Sequence, residues 1–313
     1  MASTRSFGLD VGIYGRLATR DAILKLARLA ETLDFESVWL ADHVAFPTAV
    51  KSPYPYSATG AFPADLSEPL MEPIATLGVL AGATERVRLG TAVLVMPYRN
   101  PVLLARMLVT LDQLSGGRVV LGAGAGWLAE EFAVLGAPDF ARRGRVTDEY
   151  LEIFKAIAAG GTVAYDGATY RFEAIHASPG SLQRPHPPIL IGGLADAALR
   201  RVARLADGWL AVTISPAQLG DRLAALRRLC DEHGRRYADL TLAYKLFLSV
   251  GEARPSQFDR RAPGTGSAQQ IIDDLKAIFD LGFRTVIVRY QGTSADEQVE
   301  QISRFADDII PKV

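Results

Sequence analysis

Eight apolar segments that are typical of buried β-strands alternate with amphipathic helical segments along the chain. They read FGLDVGIY, ESVWLAD, RVRLGTAVL, RVVLGAG, PILIGG, DGWLAV, LTLAYKLFLSV and RTVIVRY. Continuous apolar runs are typical of strands buried on both faces of a parallel sheet. Eight strand and helix pairs predict an α/β protein with a closed (β/α)8 TIM barrel, in preference to an open doubly wound sheet. Because no linker-like segment interrupts the pattern, we expect residues 1–313 to form a single domain.

Helix-capping signals support this alternation. Asn100 precedes a proline and an apolar repeat of helical spacing, which is typical of a helix start. Ser267 with Gln270, and Ser294 with Glu297, have the spacing of capping boxes ahead of two further amphipathic runs. The sequence therefore predicts helices that begin at these three places.

Three segments exceed the needs of a plain barrel. The first, residues 45–68, is rich in proline and aromatic side chains, and the third, residues 251–266, is polar and rich in turn residues. Between them, GTVAYDGATYRF has the pattern of a hairpin around the Asp166-Gly167 turn. Since the first and third segments follow strands, we expect them at the C-terminal face of the barrel, where substrate loops lie.

The charge balance and the single cysteine exclude several classes of protein. The chain has 34 Lys and Arg against 35 Asp and Glu, so nucleic acid and anionic membranes are poor partners. No apolar run approaches the roughly 18 residues of a membrane span, and the N-terminus lacks the pattern of a signal peptide. We therefore expect a cytoplasmic protein. Cys230, on the apolar face of a predicted helix, is expected to fill the core.

The Asp42-His43 pair is the strongest candidate for catalysis. P-loop, nucleophile-elbow, HExxH and CxxC motifs are absent, and the chain has four histidines, so we predict no metal site. The pair closes the second strand, at the face where barrel enzymes carry their active sites, which favours function over turn capping or packing. Because a histidine side chain titrates near neutral pH, His43 is the best-placed proton carrier.

Two glycine-rich strand ends are candidate ligand loops. Gly124-Ala125-Gly126 fits a relaxed dinucleotide pattern but follows the fourth strand, where a dinucleotide fingerprint is out of place. Its glycines serve either a tight turn or the approach of a flat ring to the backbone. Gly192-Gly193-Leu194 leads into a helix whose N–H groups suit a phosphate, and simple turn geometry is the alternative.

Several of these segments together resemble the luciferase-like monooxygenase superfamily, and most closely its branch that uses the deazaflavin coenzyme F420. The matching segments are VWLADHVAFP, EPIATLGVLAGATERVRLGTAVLVMPYRNPVLLARMLVTLDQLSGGRVVLGAGAGWLAEEF, RRGRVTDEYLEIFKAI and PHPPILIGGLADAALRRVARLADGW. The resemblance implies a (β/α)8 barrel whose flavin or deazaflavin lies across the C-terminal face.

The resemblance also implies roles for particular residues. A backbone bulge at Thr91, Ala92 and Val93 would support the face of the ring, often through a non-prolyl cis peptide, which here is the Ala92–Val93 bond. Asp42 would approach the polar edge of the ring, and His43 would stand near its reactive carbon. The remaining residues that it assigns to the coenzyme are Gly124, Ala125 and Gly126 beside the ring, and Gly192, Gly193, Leu194 and Arg143 at the phosphate.

Trp127 departs from the pattern of the sugar-phosphate dehydrogenases in this branch. Those enzymes resemble this chain up to the glycine at Gly126 but follow it with a glutamate that serves acid catalysis, so a sugar-phosphate substrate is disfavoured. An indole offers an apolar wall instead, and Phe46 with three further aromatic residues of the 45–68 segment points to a partly apolar substrate. The alternative is that these aromatics only pack the insertion.

We therefore expect an F420-dependent oxidoreductase that transfers a hydride to or from a small organic substrate. The coenzyme would supply the redox chemistry, and the protein would supply orientation and a proton from His43. An FMN-dependent monooxygenase is the first alternative, because both coenzymes have a flat ring and a phosphorylated ribityl tail. A non-catalytic flavin-binding protein is the second. Dimers are common among relatives, so a homodimer is one expectation.

Overall fold

The eight predicted strands form a closed parallel barrel in the computed structural model, which describes residues 5–57, 59–62, 64–212, 214–255, 261–290, 292 and 294–313. The barrel order is β1, β2, β3, β5, β8, β9, β10 and β12, and β12 closes the ring on β1 through the pairing of Ile287 with Gly8. The predicted TIM barrel is thus confirmed. In chain order the strands are β1 (Ser6–Asp10), β2 (Ser37–Leu40), β3 (Arg88–Thr91), β4 (Leu94–Val95), β5 (Val119–Gly124), β6 (Thr162–Asp166), β7 (Arg171–His176), β8 (Ile189–Gly192), β9 (Gly208–Val212), β10 (Thr241–Val250), β11 (Thr265–Gly266) and β12 (Thr285–Tyr290).

Each barrel strand is followed by a helix on the outside of the barrel, and the capping signals in the sequence are confirmed at the helix starts. The side chain of Asn100 accepts hydrogen bonds at the start of α3, and Ser267 with Gln270 forms a complete capping box at α8. Ser294 accepts from the backbone N–H of Glu297 at α9. The helices are α1 (Arg20–Thr32), α2 (Pro73–Ala83), α3 (Pro101–Leu114), α4 (Ala129–Val134), α5 (Arg143–Ala159), α6 (Asp196–Leu205), α7 (Pro216–Glu232), α8 (Ala268–Asp280) and α9 (Ala295–Arg304).

The inside of the barrel is filled around one large ring, Trp39 of β2. A Cβ atom at Gly8 of β1 or at Gly90 of β3 would lie 2.5 Å or 2.3 Å from the indole, so both neighbouring strands carry glycine where they face it. The indole N–H donates to the hydroxyl of Ser37 at 2.8 Å, which satisfies its buried polar atom. The other buried residues of this inner core are Val120, Leu190, Leu210, Ala243 and Ile287.

The insertions lie where the sequence places them. Residues 45–57 and 59–62 cover the C-terminal ends of the strands, and β6 and β7 form the predicted antiparallel hairpin. The third insertion returns to the barrel at β11, which pairs with the end of β10; its residues 256–260 lie outside the described ranges. Cys230 is free and buried on α7, as predicted. None of the helices in the described ranges is long and apolar enough to cross a membrane.

Candidate active site

A cavity of about 890 Å³ lies at the C-terminal ends of the barrel strands and brings most of the predicted site residues together. Within the described part of the chain, Thr91, Gly124 and Phe46 are the predicted residues that do not line it. The predicted residues that do are Asp42, His43, Ala92, Val93, Ala125, Gly126, Trp127, Arg143, Gly192, Gly193 and Leu194.

The floor of the cavity includes Ala92 and Val93, which belong to a backbone bulge that begins at Thr91, and the Ala92–Val93 peptide bond is cis, the configuration that the family resemblance implies. Neighbouring strands make room for the bulge with glycine. A Cβ atom at Gly122 would lie 1.8 Å from the carbonyl oxygen of Thr91, and one at Gly124 or Gly192 would lie 2.5 Å from a methyl group of Val93. Gly124 and Gly192 therefore leave space for the bulge, a role that differs from the turn and ring-approach roles weighed for Gly124 and from the phosphate and turn roles weighed for Gly192.

His43 is held by a buried carboxylate that sequence reasoning did not find. Its Nδ1 lies 2.7 Å from Oε2 of Glu131, which also accepts the hydroxyl hydrogen of Tyr98 at 2.8 Å. The other oxygen of Glu131 accepts the backbone N–H groups of Val44 and Ala45 at 2.6 and 3.0 Å. Burial acts to raise the pKa of Glu131, but His43 and these N–H groups outweigh it and lower the pKa. The ionised carboxylate can only accept, so Nδ1 carries the hydrogen and Nε2 remains for the cavity.

The neighbouring carboxylate, Asp42, is fully engaged by protein donors. Arg99 donates to both of its oxygens at 2.8 and 2.9 Å, and the backbone N–H of Val95 donates at 2.8 Å. Arg99 also donates to Glu72 at 2.6 Å. We call Asp42, Arg99 and Glu72 the Asp42 cluster. Burial raises the pKa of Asp42, and the hydrogen bonds and charge of Arg99 oppose that rise. The cluster ties the end of β2 to the chain that follows the bulge.

A second buried carboxylate, Asp10 at the end of β1, is paired with two cations. Lys245 Nζ lies 2.5 Å from Asp10 Oδ2 and 3.3 Å from the carbonyl oxygen of Ala92 in the bulge. Arg289 Nη1 lies 3.6 Å from the same Asp10 oxygen, and its guanidinium lies 4.4 Å from the ring centroid of Tyr14. Burial acts to raise the pKa of Asp10, but the two cations outweigh it and lower the pKa. We call Asp10, Lys245 and Arg289 the Asp10 cluster.

Aromatic side chains form the wall of the cavity beside His43. Trp127 stacks on Phe62 with ring centroids 5.5 Å apart and meets Tyr54 edge to face at 5.1 Å. Its ring centroid lies 6.2 Å from that of His43. Phe46 packs directly on the imidazole, with centroids 4.5 Å apart, so it contacts His43 rather than the cavity. The wall is therefore shared between the strand end that carries Trp127 and the 45–68 insertion.

The opposite side of the barrel mouth presents helix N-termini to the cavity. Helices α4 and α6 lack a side-chain cap, and α5 continues from a 3-10 turn (Phe140–Arg142) that is capped by the side chain of Asp139, whereas α1, α2, α3, α7, α8 and α9 each have a cap of their own. Arg143 donates to the carbonyl oxygen of Gly126 at 3.2 Å and stacks on Phe140, and Arg201 of α6 also lines this region. Uncapped N–H groups with nearby cations are the features of an anion site.

The residues that sequence reasoning missed differ in how visible they are. Asp10, Lys245 and Arg289 are charged residues inside otherwise apolar strands, and that signal could have identified them. Glu131 lies beside another glutamate in the first turn of a short helix, and Arg99 lies in a loop after the bulge. Nothing in the sequence around these two residues distinguishes them from surface charges.

Residues 6–257 match the model of the Luciferase-like monooxygenase family. The match extends over more than half of the chain and includes the strand ends of β1, β2, β3, β5, β8 and β9, which line the mouth of the barrel. The protein therefore belongs to the luciferase-like monooxygenase family, as the sequence resemblance indicates.

Relatives of the chain include enzymes of both coenzyme types. An F420-dependent glucose-6-phosphate dehydrogenase of Microbacterium testaceum is 27% identical over 301 residues, which cover 91% of this chain and 84% of that protein. An FMNH(2)-dependent dimethylsulfone monooxygenase of Pseudomonas putida is 35% identical over 130 residues, 41% of this chain and 36% of that protein. The structure of an F420-dependent secondary alcohol dehydrogenase in complex with an F420-acetone adduct superimposes with a TM-score of 0.80 at 17% identity, covering 99% of both chains, which shows a shared fold.

Proposed function

We propose that this protein is an F420-dependent oxidoreductase that transfers a hydride to or from a small, partly apolar organic substrate. The observation that carries the proposal is the cavity at the barrel mouth. It brings together Ala92 and Val93 of the bulge, the N-termini of α5 and α6, and a histidine backed by a carboxylate beside an aromatic wall. These are the parts that a flat, phosphorylated coenzyme and a proton-dependent redox reaction require.

The residues present fit such a coenzyme. The cavity volume of about 890 Å³ lies in the range of small-molecule sites, and Ala92 and Val93 expose backbone and small side chains at its floor. Gly193 has a φ of 116°, which lets the chain turn into α6 with its N–H groups at the cavity. Those N–H groups and Arg143 would hold the phosphate. When bound, the coenzyme supplies the hydride donor or acceptor.

His43 is the proposed proton carrier for the substrate. Its Nδ1–H donates to Glu131, so Nε2 is the nitrogen that can take or give a proton in the cavity. Glu131 fixes the orientation of the imidazole, and Tyr98 with two backbone N–H groups keeps that carboxylate in place. Trp127 and Phe62 would exclude water from one side of the His43 imidazole and provide apolar contact for the substrate.

The proposal is tested by removing the proton carrier and, separately, its orienting carboxylate. His43→Ala should lower kcat by about 100-fold or more while the Kd of the coenzyme changes little, because general acid–base catalysis contributes on that scale. Glu131→Gln removes the charge, and its single amide oxygen cannot accept on both sides as the carboxylate does, so the orientation of His43 is disturbed and kcat should fall, though less than in His43→Ala. Unchanged turnover in His43→Ala would contradict the role of His43.

FMN-dependent monooxygenation is the second candidate function. The Pseudomonas putida relative, which is named as FMNH(2)-dependent, favours it. The bulge would serve a flavin ring as well as a deazaflavin ring, and the uncapped start of α6 with Arg143 would serve the phosphate of either coenzyme. The longer match to the F420-dependent relative, which covers 91% of this chain, supports F420 as the first candidate.

A further inference from the structure

We infer that the Asp10 cluster binds the carboxylate of a substrate, so that the enzyme acts on an apolar carboxylic acid. The inference names a substrate class for the proposed function. That such a substrate reacts rests on the proposed function, whereas its binding does not. It places the acid group against Arg289 and Lys245 and the apolar body along Phe62 and Trp127.

The charges of the Asp10 cluster do not balance within the cluster itself. Two cations share one carboxylate, which leaves one positive charge in a buried setting. Lys245 and Arg289 both line the large cavity, whereas the fully buried Asp10 lines only a smaller pocket of about 300 Å³, which Arg289 also lines. An uncompensated buried charge is costly, so a cavity that presents two cations favours an anionic ligand.

Arg289 has the donors that such a ligand needs. Among the residues that the structure describes, its guanidinium faces one carboxylate, Asp10 at 3.6 Å, and Tyr14, which it contacts through both the ring and the hydroxyl. That distance is too long for a hydrogen bond, and the side chain is only 6% exposed. A guanidinium carries five N–H groups in a planar fork that matches a carboxylate. Lys245, by contrast, is already held by Asp10 and by the carbonyl oxygen of Ala92.

The surroundings of the cluster favour a carboxylate over a phosphate. One excess positive charge is neutralised by a monoanion, whereas a phosphate dianion would leave a buried negative charge. Tyr14 also joins the cluster to the aromatic wall, because it stacks under Arg289 and its ring centroid lies 5.6 Å from that of Phe62. A ligand anchored at Arg289 therefore extends directly along apolar rings, as an aryl or alkyl carboxylic acid would.

The test compares phenylacetate with its neutral isostere phenylacetamide by calorimetric titration of the protein, with and without coenzyme. We expect phenylacetate to bind at least about tenfold more tightly, since charge-assisted hydrogen bonds to a buried arginine are worth that much. Arg289→Met should abolish this preference, and Arg289→Lys should restore part of it. Arg28→Met, on the exposed face of α1 and outside the cavity, is the control and should retain the preference.

Three results would overturn the inference: equal binding of the two isosteres to the wild-type protein, a preference that survives in Arg289→Met, or tighter binding of glucose 6-phosphate than of phenylacetate. The wild-type comparison decides the matter if Arg289→Met does not fold. Because binding is measured without turnover, a protein that prefers phenylacetate but binds no F420 would contradict the proposed function and leave the carboxylate site standing.

Discussion

Two buried aspartates at the ends of adjacent strands, Asp10 on β1 and Asp42 after β2, are surrounded in opposite ways. In the Asp42 cluster one arginine serves two carboxylates, and Arg99 donates to both oxygens of Asp42 with hydrogen bonds of 2.8 and 2.9 Å. In the Asp10 cluster one carboxylate serves two cations, and Arg289 is 3.6 Å away. In the Asp42 cluster the hydrogen-bonding groups are satisfied and the net charge is negative. In the Asp10 cluster Arg289 keeps donors for a ligand and the net charge is positive.

The difference separates a cluster that holds the backbone from one that presents donors to a ligand. The donors of Arg99 are engaged by Asp42 and Glu72, so the Asp42 cluster has few hydrogen-bond donors available for a small molecule. Lys245 and Arg289 line the cavity with more donors than Asp10 can satisfy. Asp42 was assigned to the polar edge of the coenzyme by resemblance, and we now propose that it acts there by positioning the backbone of Val95 rather than through a free carboxylate.

The largest expected effect on stability comes from Asp10→Asn. This change leaves Lys245 and Arg289 without a carboxylate, and removing one partner of a buried ion pair costs about 3–5 kcal/mol. In the matched variant Asp42→Asn, Arg99 keeps Glu72, so the loss should be smaller. Chemical denaturation of both variants measures the free energy of unfolding, and a larger loss for Asp42→Asn would reverse our reading of the two clusters.

Removal of the arginine from each cluster should lower the free energy of unfolding by different amounts. Arg99→Met leaves Asp42 with the backbone N–H of Val95 alone, and we expect a loss of about 3 kcal/mol. Arg289→Met removes the excess cation and leaves Asp10 paired with Lys245 at 2.5 Å, so stability should change by about 1 kcal/mol or less. Equal losses in the same denaturation experiment would show that Arg289 is structural.

The smallest expected effect is a loss of unfolding free energy in acid that comes from the Asp10 cluster and not from the Asp42 cluster. Its two cations lower the pKa of Asp10 below its ordinary value of 3.8, so its contribution to stability is complete above that pH and is lost as the pH falls further. The gap in unfolding free energy between wild type and Asp10→Asn should therefore shrink in acid. In Arg289→Met the fall in unfolding free energy at acid pH should be shallower, because one of the two cations that lower the pKa of Asp10 is gone. An unchanged fall would argue against coupling between Arg289 and Asp10.

The barrel and the coenzyme side of the site could be predicted because they depend on local patterns. Apolar runs with helical segments between them define the strands, and strand ends of a parallel barrel meet at one face. His43, Trp127 and Gly192 could thus be placed together from the sequence. The glycines were found, but the space they leave for Val93 depends on the register between β3, β5 and β8.

The ion pairs could not be predicted because their partners are distant in the chain. Glu131 and His43 are 88 residues apart, and Asp42 and Arg99 are 57 apart. Lys245 and Asp10 are far apart in the sequence and meet only because β10, β12 and β1 are neighbours in the closed barrel. The charges inside apolar strands mark Asp10, Lys245 and Arg289 as unusual, but the excess of cations appears only once the three are brought together.

Coenzyme identity is the most direct test of the account. Purified protein should be titrated with F420 and, separately, with FMN, and binding followed by the change in each absorption spectrum. We expect F420 to bind at least about tenfold more tightly than FMN, a difference of about 1.4 kcal/mol. Gly192→Ala, which places a methyl group 2.5 Å from Val93, should weaken that binding, whereas Gly78→Ala in α2, with nothing within 4 Å, should not. Tighter binding of FMN, or no binding of either coenzyme, would contradict the proposed function.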